Sequence, residues 1–187
     1  MPQSPEHNFR LVRAAREGDP RAWDVLLRER QLPLFAYVVE LTRDREAARD
    51  IVQETFAGAV RHIETLRDEA RFASWLFGIA HQKCVQHFRR SRRHDERFAA
   101  PEALPEDHVD VAAEDPRDRL LREEHAGEFF ALLEKLPPDQ RSALLLHVLE
   151  EFSLEEIASI TAVPTGTVKS RLYHARRALR LLVEETL

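Results

Sequence analysis

Apolar residues recur at helical spacing along most of this chain. From about Phe9 to His94, segments with apolar positions three and four residues apart follow one another, with a break at Gly18-Asp19-Pro20 and a break or bend at Pro33. Asp44 can cap the first turn of a long helix. The apolar stripe of that helix comprises Ala48, Ile51, Val52, Thr55, Phe56, Ala59, Val60 and Ile63. The pattern predicts consecutive helices and contains no alternating strand runs.

A further helix is predicted from Phe72 to Arg90. Its inward positions are spaced four apart, at Leu76, Ala80, Cys84 and Phe88. The periodicity then fails from about residue 95 to residue 115, where prolines and acidic residues alternate with alanine. We interpret this stretch as a flexible linker. Asp115-Pro116 is expected to start a helix that runs to about residue 136, and Pro137-Pro138 separates it from another helix over residues 139–151.

The last segment predicts two helices joined by a tight turn. Ser153 and Glu156 form a capping box, and Pro164 lies in the turn, where it cannot continue the first helix. The buried stripe of the second helix is predicted at Val168, Leu172, Ala175 and Leu179. The outer side carries Lys169, Ser170, Tyr173, His174, Arg176, Arg177 and Arg180. Such a helix fits the major groove of DNA and its phosphates.

A basic amphipathic helix also occurs as an ordinary solvated surface, so the pattern alone leaves both interpretations open. The segment from Lys169 to Val183 contains no acidic residue. Most solvated helices mix charges, because oppositely charged side chains one turn apart stabilise each other. The uniform sign therefore favours a nucleic-acid contact.

Composition agrees with an all-α fold made of two small helical domains joined by a flexible acidic linker, the second domain with a helix-turn-helix. The chain has 187 residues, of which 43% are apolar and only 5 are glycine. We expect a first domain at residues 1–95, a linker at 96–115 and a second domain at 116–187. There is no signal peptide and no apolar run long enough to span a bilayer, and the lone Cys84 excludes an internal disulfide; we expect a cytoplasmic protein.

The charge is segregated along the chain. Net charge is −5, yet basic residues concentrate over 89–97 and 169–180, with an acidic stretch between them. This arrangement predicts two DNA-facing patches, weak DNA affinity in the free chain and a partner that supplies the rest. The 9 histidines lack metal-ligand spacing, and no Gly-rich phosphate loop or nucleophile motif occurs. We therefore expect no metal, no cofactor and no catalytic residue.

Two polar faces lie opposite the predicted core of the first domain. Asp50, Gln53 and Glu54 point away from the stripe of their helix, as an ordinary solvated face would. In the helix from Phe72, one side carries Trp75, Gln82, Gln86 and Arg89. An aromatic ring, two amides and a guanidinium can stack on unpaired bases and hydrogen-bond their edges. The alternative is that Trp75 packs at the rim and the amides face solvent.

These motifs, in this order, resemble the extracytoplasmic-function sigma factors of bacterial RNA polymerase. Asp50-Ile-Val-Gln53-Glu54-Thr-Phe56 resembles the Asp-x-x-Gln-Glu-x-Phe signature of region two, and Phe72-Ala-Ser-Trp75-Leu76-Phe-Gly-Ile79-Ala80 resembles its Phe-x-x-Trp-Leu-x-x-Ile-Ala segment. Region four is resembled by Leu136-Pro-Pro-Asp-Gln140-Arg141, by Glu156-Ile-Ala158 and by Gly166-Thr-Val-Lys-Ser-Arg-Leu172. The resemblance covers nearly the whole chain, without regions one and three.

The resemblance implies a transcription initiation factor that binds core RNA polymerase, directs it to promoters and helps melt the minus-ten element. Core-binding residues would be Asp50, Gln53, Glu54 and Phe56. Minus-ten contacts would come from Trp75, His81, Gln82, Lys83, Gln86, Arg89 and Arg90. Minus-thirty-five contacts would come from Thr165, Thr167, Lys169, Ser170, Arg171, Tyr173, His174 and Arg177. The implied partners are core polymerase, promoter DNA and an anti-sigma factor, without direct membrane insertion.

Three positions depart from the family pattern. His81-Gln82 stand where Arg-Asn is usual, and Gln86 stands where Asp is frequent, so the minus-ten preference is expected to be atypical. Ala162 replaces the usual turn glycine, which would cost about 1 kcal/mol if that residue needs a positive φ. The main alternative is a helix-turn-helix regulator that is not a polymerase subunit, but this leaves residues 9–93 unexplained.

Overall fold

The computed structural model of the chain describes residues 5–95 and 126–184, with side chains described within 8–90 and 130–183. Eight α-helices and no strand occur in these ranges. The helices are α1 (Pro5–Arg16), α2 (Pro20–Thr42), α3 (Arg45–His62), α4 (Phe72–Asp95), α5 (Ala126–Glu134), α6 (Pro138–Val148), α7 (Leu154–Thr161) and α8 (Thr165–Glu184). Two short 3-10 turns, Ile63–Thr65 and Glu69–Arg71, connect α3 to α4. The all-α prediction is confirmed.

The chain divides into two compact units between residues 98 and 99. The predicted linker at 96–115 and the helix start at Asp115-Pro116 lie outside the described residues. No helix of the described residues is long and apolar enough to cross a membrane.

In the first unit, α2 packs against α1, α3 and α4, and α3 packs against α4. Tyr37, Phe77, Leu26, Leu34 and Leu76 are fully buried at the centre. Burial of each such side chain contributes about 1.5–3 kcal/mol, which holds these amphipathic helices together. Of the four predicted inward positions, Leu76, Ala80 and Cys84 are buried and Phe88 is half-buried, so the prediction is confirmed for the first three.

Side-chain caps set the starts of α2 and α3; the cap at Asp44 was predicted, and the cap at Asp19 was not. Asp19 accepts a hydrogen bond from the Arg21 backbone N–H at 2.9 Å, and Asp44 accepts from the backbone N–H groups of Glu46 and Ala47 at 2.9 and 3.0 Å. Each cap satisfies donors that a first turn leaves unpaired and is worth about 1 kcal/mol. The cap at Asp44 lets α3 begin only three residues after the end of α2.

The predicted break at Pro33 is wrong, because α2 continues through it. A proline inside a helix costs about 3 kcal/mol, since it removes one backbone N–H and crowds the preceding turn. Beyond Pro33 the helix buries Leu34, Tyr37, Val38 and Leu41. Burial of these four side chains outweighs the local cost and keeps the helix continuous.

In the second unit, α6 and α7 pack against α8. Leu133, Leu145, Leu146, Ile157 and Val168 form its buried centre. The guanidinium of buried Arg141 donates hydrogen bonds to the backbone carbonyls of Glu134 and Leu136 at 3.1 and 2.9 Å, which ties the start of α6 to the end of α5. Helix α6 ends at Val148, earlier than the predicted residue 151.

The joint between α7 and α8 has the predicted helix-turn-helix form. The capping box of Ser153 and Glu156 is present in full. Ala162 ends α7 in the left-handed conformation, at φ 55° and ψ 42°. The Pro164 carbonyl accepts from the Thr167 and Val168 backbone N–H groups at 2.9 and 3.2 Å, which starts α8. Alanine thus occupies a positive-φ position at a cost of about 1 kcal/mol.

Candidate nucleic-acid and protein interfaces

The outer face of α3 carries the residues predicted to bind the polymerase. Asp50, Gln53 and Glu54 are exposed, while Phe56 is half-buried. Val60, predicted to lie in the buried stripe, is instead 46% exposed near the end of this helix. The face is therefore polar, with acidic Asp50 and Glu54 flanked by exposed arginines, and it becomes apolar at Ala57 and Val60 toward its C-terminal end.

A groove of about 550 Å³ runs between α2 and α3 beside this face. Gln53 and Phe56 line one wall. The α2 wall includes Leu27, Gln31 and Phe35, which are spaced four residues apart. This contribution of α2 was not predicted, because the expected break at Pro33 concealed that these residues share one face. The groove offers an apolar floor next to the acidic face, a combination that suits an amphipathic partner segment.

Glu54 is paired across the helix interface with Lys83 of α4. The Lys83 ammonium donates to Glu54 Oε2 at 2.7 Å. The side chain of Glu54 is 64% exposed and that of Lys83 is 22% exposed. The hydrogen bond and positive charge of Lys83 hold the pKa of Glu54 below its ordinary value. One contact thus joins a residue predicted for polymerase binding to one predicted for DNA binding.

The solvent face of α4 presents the predicted amides and guanidinium groups. Gln82, Gln86, Arg89 and Arg90 are exposed. Trp75 lies on the same face and is half-buried, since its ring packs 6.0 Å from that of Phe72. Anchored in this way, Trp75 keeps part of its ring at the surface beside the amides. Trp75 therefore packs at the rim of the unit, as the alternative interpretation predicted. In this position the exposed part of its ring can still stack on a base.

His81 does not lie on this face, which contradicts the prediction that it contacts the minus-ten element. The residue is only 8% exposed. Its Nδ1 lies 2.8 Å from the Tyr37 hydroxyl, and the two share a hydrogen bond inside the unit. One position of an α-helix turns by about 100°, which directs His81 inward while Gln82 faces solvent. A buried imidazole cannot reach a base without unpacking α4 from α2.

Helix α8 presents a graded surface. Lys169, Arg177 and Arg180 are exposed, and the remaining predicted contacts Thr165, Thr167, Ser170, Arg171, Tyr173 and His174 are half-buried. The rings of Tyr173 and His174 meet edge to face, with centroids 5.4 Å apart. The predicted stripe at Val168, Leu172 and Ala175 is buried. The burial pattern leaves the basic and polar side outward, in the helix that follows the turn.

Arg171 already has a partner within the second unit. Its guanidinium donates to Asp139 Oδ2 of α6 at 2.7 Å, and its side chain is 22% exposed. Arg177, in contrast, is an exposed residue. Of these two arginines, Arg177 is better placed for a base edge, while Arg171 fixes α8 against α6.

No group of three or more His, Cys, Asp or Glu residues among the described side chains could hold a metal ion. Burial raises the pKa of the Cys84 thiol to about 12, so this thiol is a protonated core group.

Comparison with known proteins shows the family to which both units belong. The Sigma-70 region 2 family matches residues 26–94, and the Sigma-70, region 4 family matches residues 126–179. The chain is 33% identical over 178 residues to the RNA polymerase sigma-H factor of Pseudomonas aeruginosa, covering 93% of this chain and 92% of that protein. It is 32% identical to the extracytoplasmic-function RNA polymerase sigma-E factor of Escherichia coli, covering 90% of each chain.

Two solved structures share the fold. One is the sigma factor RpoE in complex with the anti-sigma factor NepR from Bartonella quintana, at 26% identity and a TM-score of 0.62, covering 84% of this chain and 95% of that chain. The other is CnrH in complex with the cytosolic domain of CnrY, at 22% identity and a TM-score of 0.67, covering 95% of this chain and 97% of that chain.

These matches define a promoter-recognition subunit of RNA polymerase. The chain belongs to the extracytoplasmic-function sigma factors and is a transcription initiation factor. Because the similarity spans both units, an isolated helix-turn-helix regulator is not favoured.

Proposed function

We propose that residues 1–95 bind core RNA polymerase and open the minus-ten element, that residues 96–115 connect the units, and that residues 116–187 read the minus-thirty-five element. The observation that carries this proposal is the 2.7 Å contact between Glu54 and Lys83. It joins an acidic face on α3 to a basic, amide-bearing face on α4 within one unit. A protein held by polymerase on the first face would present the second to DNA.

Polymerase would be bound by Asp50, Gln53 and Glu54, with Phe56 at the adjoining groove. The exposure of the three polar side chains and the apolar wall provided by Leu27 and Phe35 support this role. Interfaces of this kind combine a few apolar anchors with a polar rim. The same amides and carboxylates would fix the orientation of the partner through hydrogen bonds.

Promoter melting would use the solvent face of α4. The partly exposed ring of Trp75 can stack on an unpaired base, and Gln82 and Gln86 can hydrogen-bond base edges. Arg89, Arg90 and Lys83 would contact phosphates of the same strand. The amides stand where the family pattern differs, so they would set this factor's own minus-ten preference.

Upstream recognition would use α8 in the major groove. The turn at Ala162 and the capped start of α7 fix the angle between α7 and α8. Arg177 is the proposed base-reading residue, because arginine can donate two hydrogen bonds to guanine. Lys169, Ser170, Tyr173, His174, Thr165, Thr167 and Arg171 would supply further contacts to bases or phosphates.

The proposed protein is a non-enzymatic cytoplasmic factor controlled by an anti-sigma protein. The relative RpoE is in complex with the anti-sigma factor NepR, which supports a partner of the same class here. The chain would need no cofactor, because the polymerase supplies the catalytic chemistry.

Run-off transcription tests the proposal. Core polymerase free of sigma factors is mixed with the full chain and fragmented genomic DNA, and the transcripts are sequenced; core alone is the control. We expect the chain to co-purify with core and to yield transcripts with common upstream elements. A chain that binds duplex DNA specifically without core, and adds no transcripts with it, would instead be a separate regulator.

A further inference from the structure

Three positively charged side chains lie near the carboxylate of Glu54. Besides the bond from Lys83, the charges of Arg90 on α4 and Arg61 on α3 also act on its carboxylate. Arg61 is turned back toward its own helix, since its Nε donates to the Ala57 carbonyl at 3.1 Å. Lys83 is therefore the cation that Glu54 binds directly.

The two partners of this ion pair differ in how accessible they are. Glu54 extends into solvent, with 64% of its side chain exposed, whereas the Lys83 side chain is 22% exposed and lies against the α3–α4 interface. A docking protein would therefore reach the carboxylate before the ammonium. Lys83 directly follows the exposed residue Gln82, at the edge of the amide face.

We propose that Glu54 masks Lys83 in the free chain and that polymerase binding at Glu54 releases Lys83 to a phosphate of the melted strand. This inference rests on the function proposed above. A carboxylate that accepts hydrogen bonds from a partner protein holds the lysine less tightly. The ammonium, with three donors on a flexible stem, then turns to the nearest anion. Polymerase binding and single-strand binding strengthen each other, and the coupling acts equally in both directions.

The masking is measured with the full chain alone. A fluorescent single-stranded DNA of mixed sequence is titrated at low salt, and anisotropy reports the affinity. Glu54→Gln should raise the affinity by about two- to five-fold, the range expected for loss of an exposed ion pair. Glu46→Gln is the matched control, because it removes the same charge from an exposed position on the same helix and has no part in the proposed interfaces.

A double variant separates release of Lys83 from a general change of charge. Glu54→Gln combined with Lys83→Met should lose the gain, because no ammonium is left to be released. If Glu54→Gln and Glu46→Gln give equal gains, or if the gain persists without Lys83, masking is wrong.

The release is measured in the holoenzyme on a template already unpaired across the minus-ten region. Lys83→Met should weaken this complex several-fold more than it weakens single-strand binding by the free chain. An equal effect in both states would overturn the release. Failure of the chain to bind core at all would overturn the proposed function, whereas the free-chain titration would still report on the masking.

Discussion

The Tyr37 hydroxyl lies 2.8 Å from Nδ1 of His81, and this hydrogen bond links α2 to α4 within the core of the first unit. Both residues are buried. A buried polar group that loses its partner costs about 1–3 kcal/mol, so each residue fixes the other. The pair His81-Gln82, which departs from the family pattern, therefore has two separate roles. His81 is part of the packed core, and we expect only Gln82 of this pair to affect the choice of base.

Replacing the amides of α4 should impair promoter melting. Gln82→Ala and Gln86→Ala should each reduce open-complex formation, since losing one stacked or hydrogen-bonded base costs about 1–3 kcal/mol. Permanganate reactivity of unpaired thymines measures this on the native promoter. A template mismatched across the bubble should recover part of the loss, because melting is no longer required there. Normal melting by both variants would show that this face is only solvated.

Reversing the charges of Asp50 and Glu54 on α3 should abolish polymerase binding. Asp50→Arg places a cation in the proposed interface, and addition of Glu54→Arg should complete the loss. Co-purification with core is the measurement, and unchanged circular dichroism verifies the fold, since both side chains are exposed. Glu46→Arg makes the same reversal in the first turn of the helix and should still bind core. It should lower the stability of the helix by about 0.3–1 kcal/mol. Equal retention by the Asp50 and Glu46 variants would contradict the assignment.

Arg171 and Arg177 of α8 should behave differently. Arg177→Ala should weaken duplex binding and relax the preference at one minus-thirty-five position by about 1–3 kcal/mol. Arg171→Ala breaks its ion pair with Asp139 and should lower the free energy of unfolding by up to about 1 kcal/mol, with little change in base preference. Binding across a panel of promoter variants distinguishes them. A loss that is uniform over the panel would make Arg177 a phosphate contact.

Glycine at the turn should stabilise the second unit. Ala162→Gly removes the strain of a left-handed alanine and should raise the free energy of unfolding by about 1 kcal/mol. Ala131→Gly is the matched control: at an exposed position inside α5, the same substitution should lower the free energy of unfolding by about 0.5–1 kcal/mol. Urea unfolding followed by circular dichroism measures both. Effects of the same sign would refute the strain at residue 162.

Stability should fall at alkaline pH because of Cys84. Its folded-state pKa is raised by burial from an ordinary value of 9.0 to about 12. The folded chain therefore holds the proton more tightly than the unfolded chain. The contribution of this thiol to the free energy of unfolding is fully present below pH 9.0. It is lost as pH rises toward about 12, at up to about 1.4 kcal/mol per pH unit. Urea unfolding across this range should show a shallower decline for Cys84→Ala; equal slopes would exclude the thiol as the cause.

The features that the sequence predicted correctly are local ones. The cap at Asp44, the box of Ser153 and Glu156, and the buried positions Val168, Leu172 and Ala175 of α8 each depend on residues within one or two turns. Their geometry follows from backbone hydrogen bonding and helical periodicity, which are legible in a single sequence. The sigma-factor resemblance is likewise confirmed, because its motifs are contiguous strings.

The contacts that sequence reasoning missed are long-range. Lys83 meets Glu54 across 29 positions, Arg171 meets Asp139 across 32, and Tyr37 meets His81 across 44. Such pairs depend on how helices cross, which no local pattern specifies. The break predicted at Pro33 failed for the same reason, since tertiary burial beyond the proline decided the outcome.

Among the residues that the structure describes, three non-glycine residues adopt a left-handed backbone, namely Arg43, Glu151 and Ala162. At about 1 kcal/mol or more each, these residues hold about 3 kcal/mol of strain, a large share of the 5–15 kcal/mol that stabilises a typical protein. Such a reserve of strain increases the unfolded population, which cellular proteases remove. We therefore expect this protein to have a shorter lifetime in the cell than a variant with glycine at these three positions. Its abundance would then follow its rate of synthesis closely.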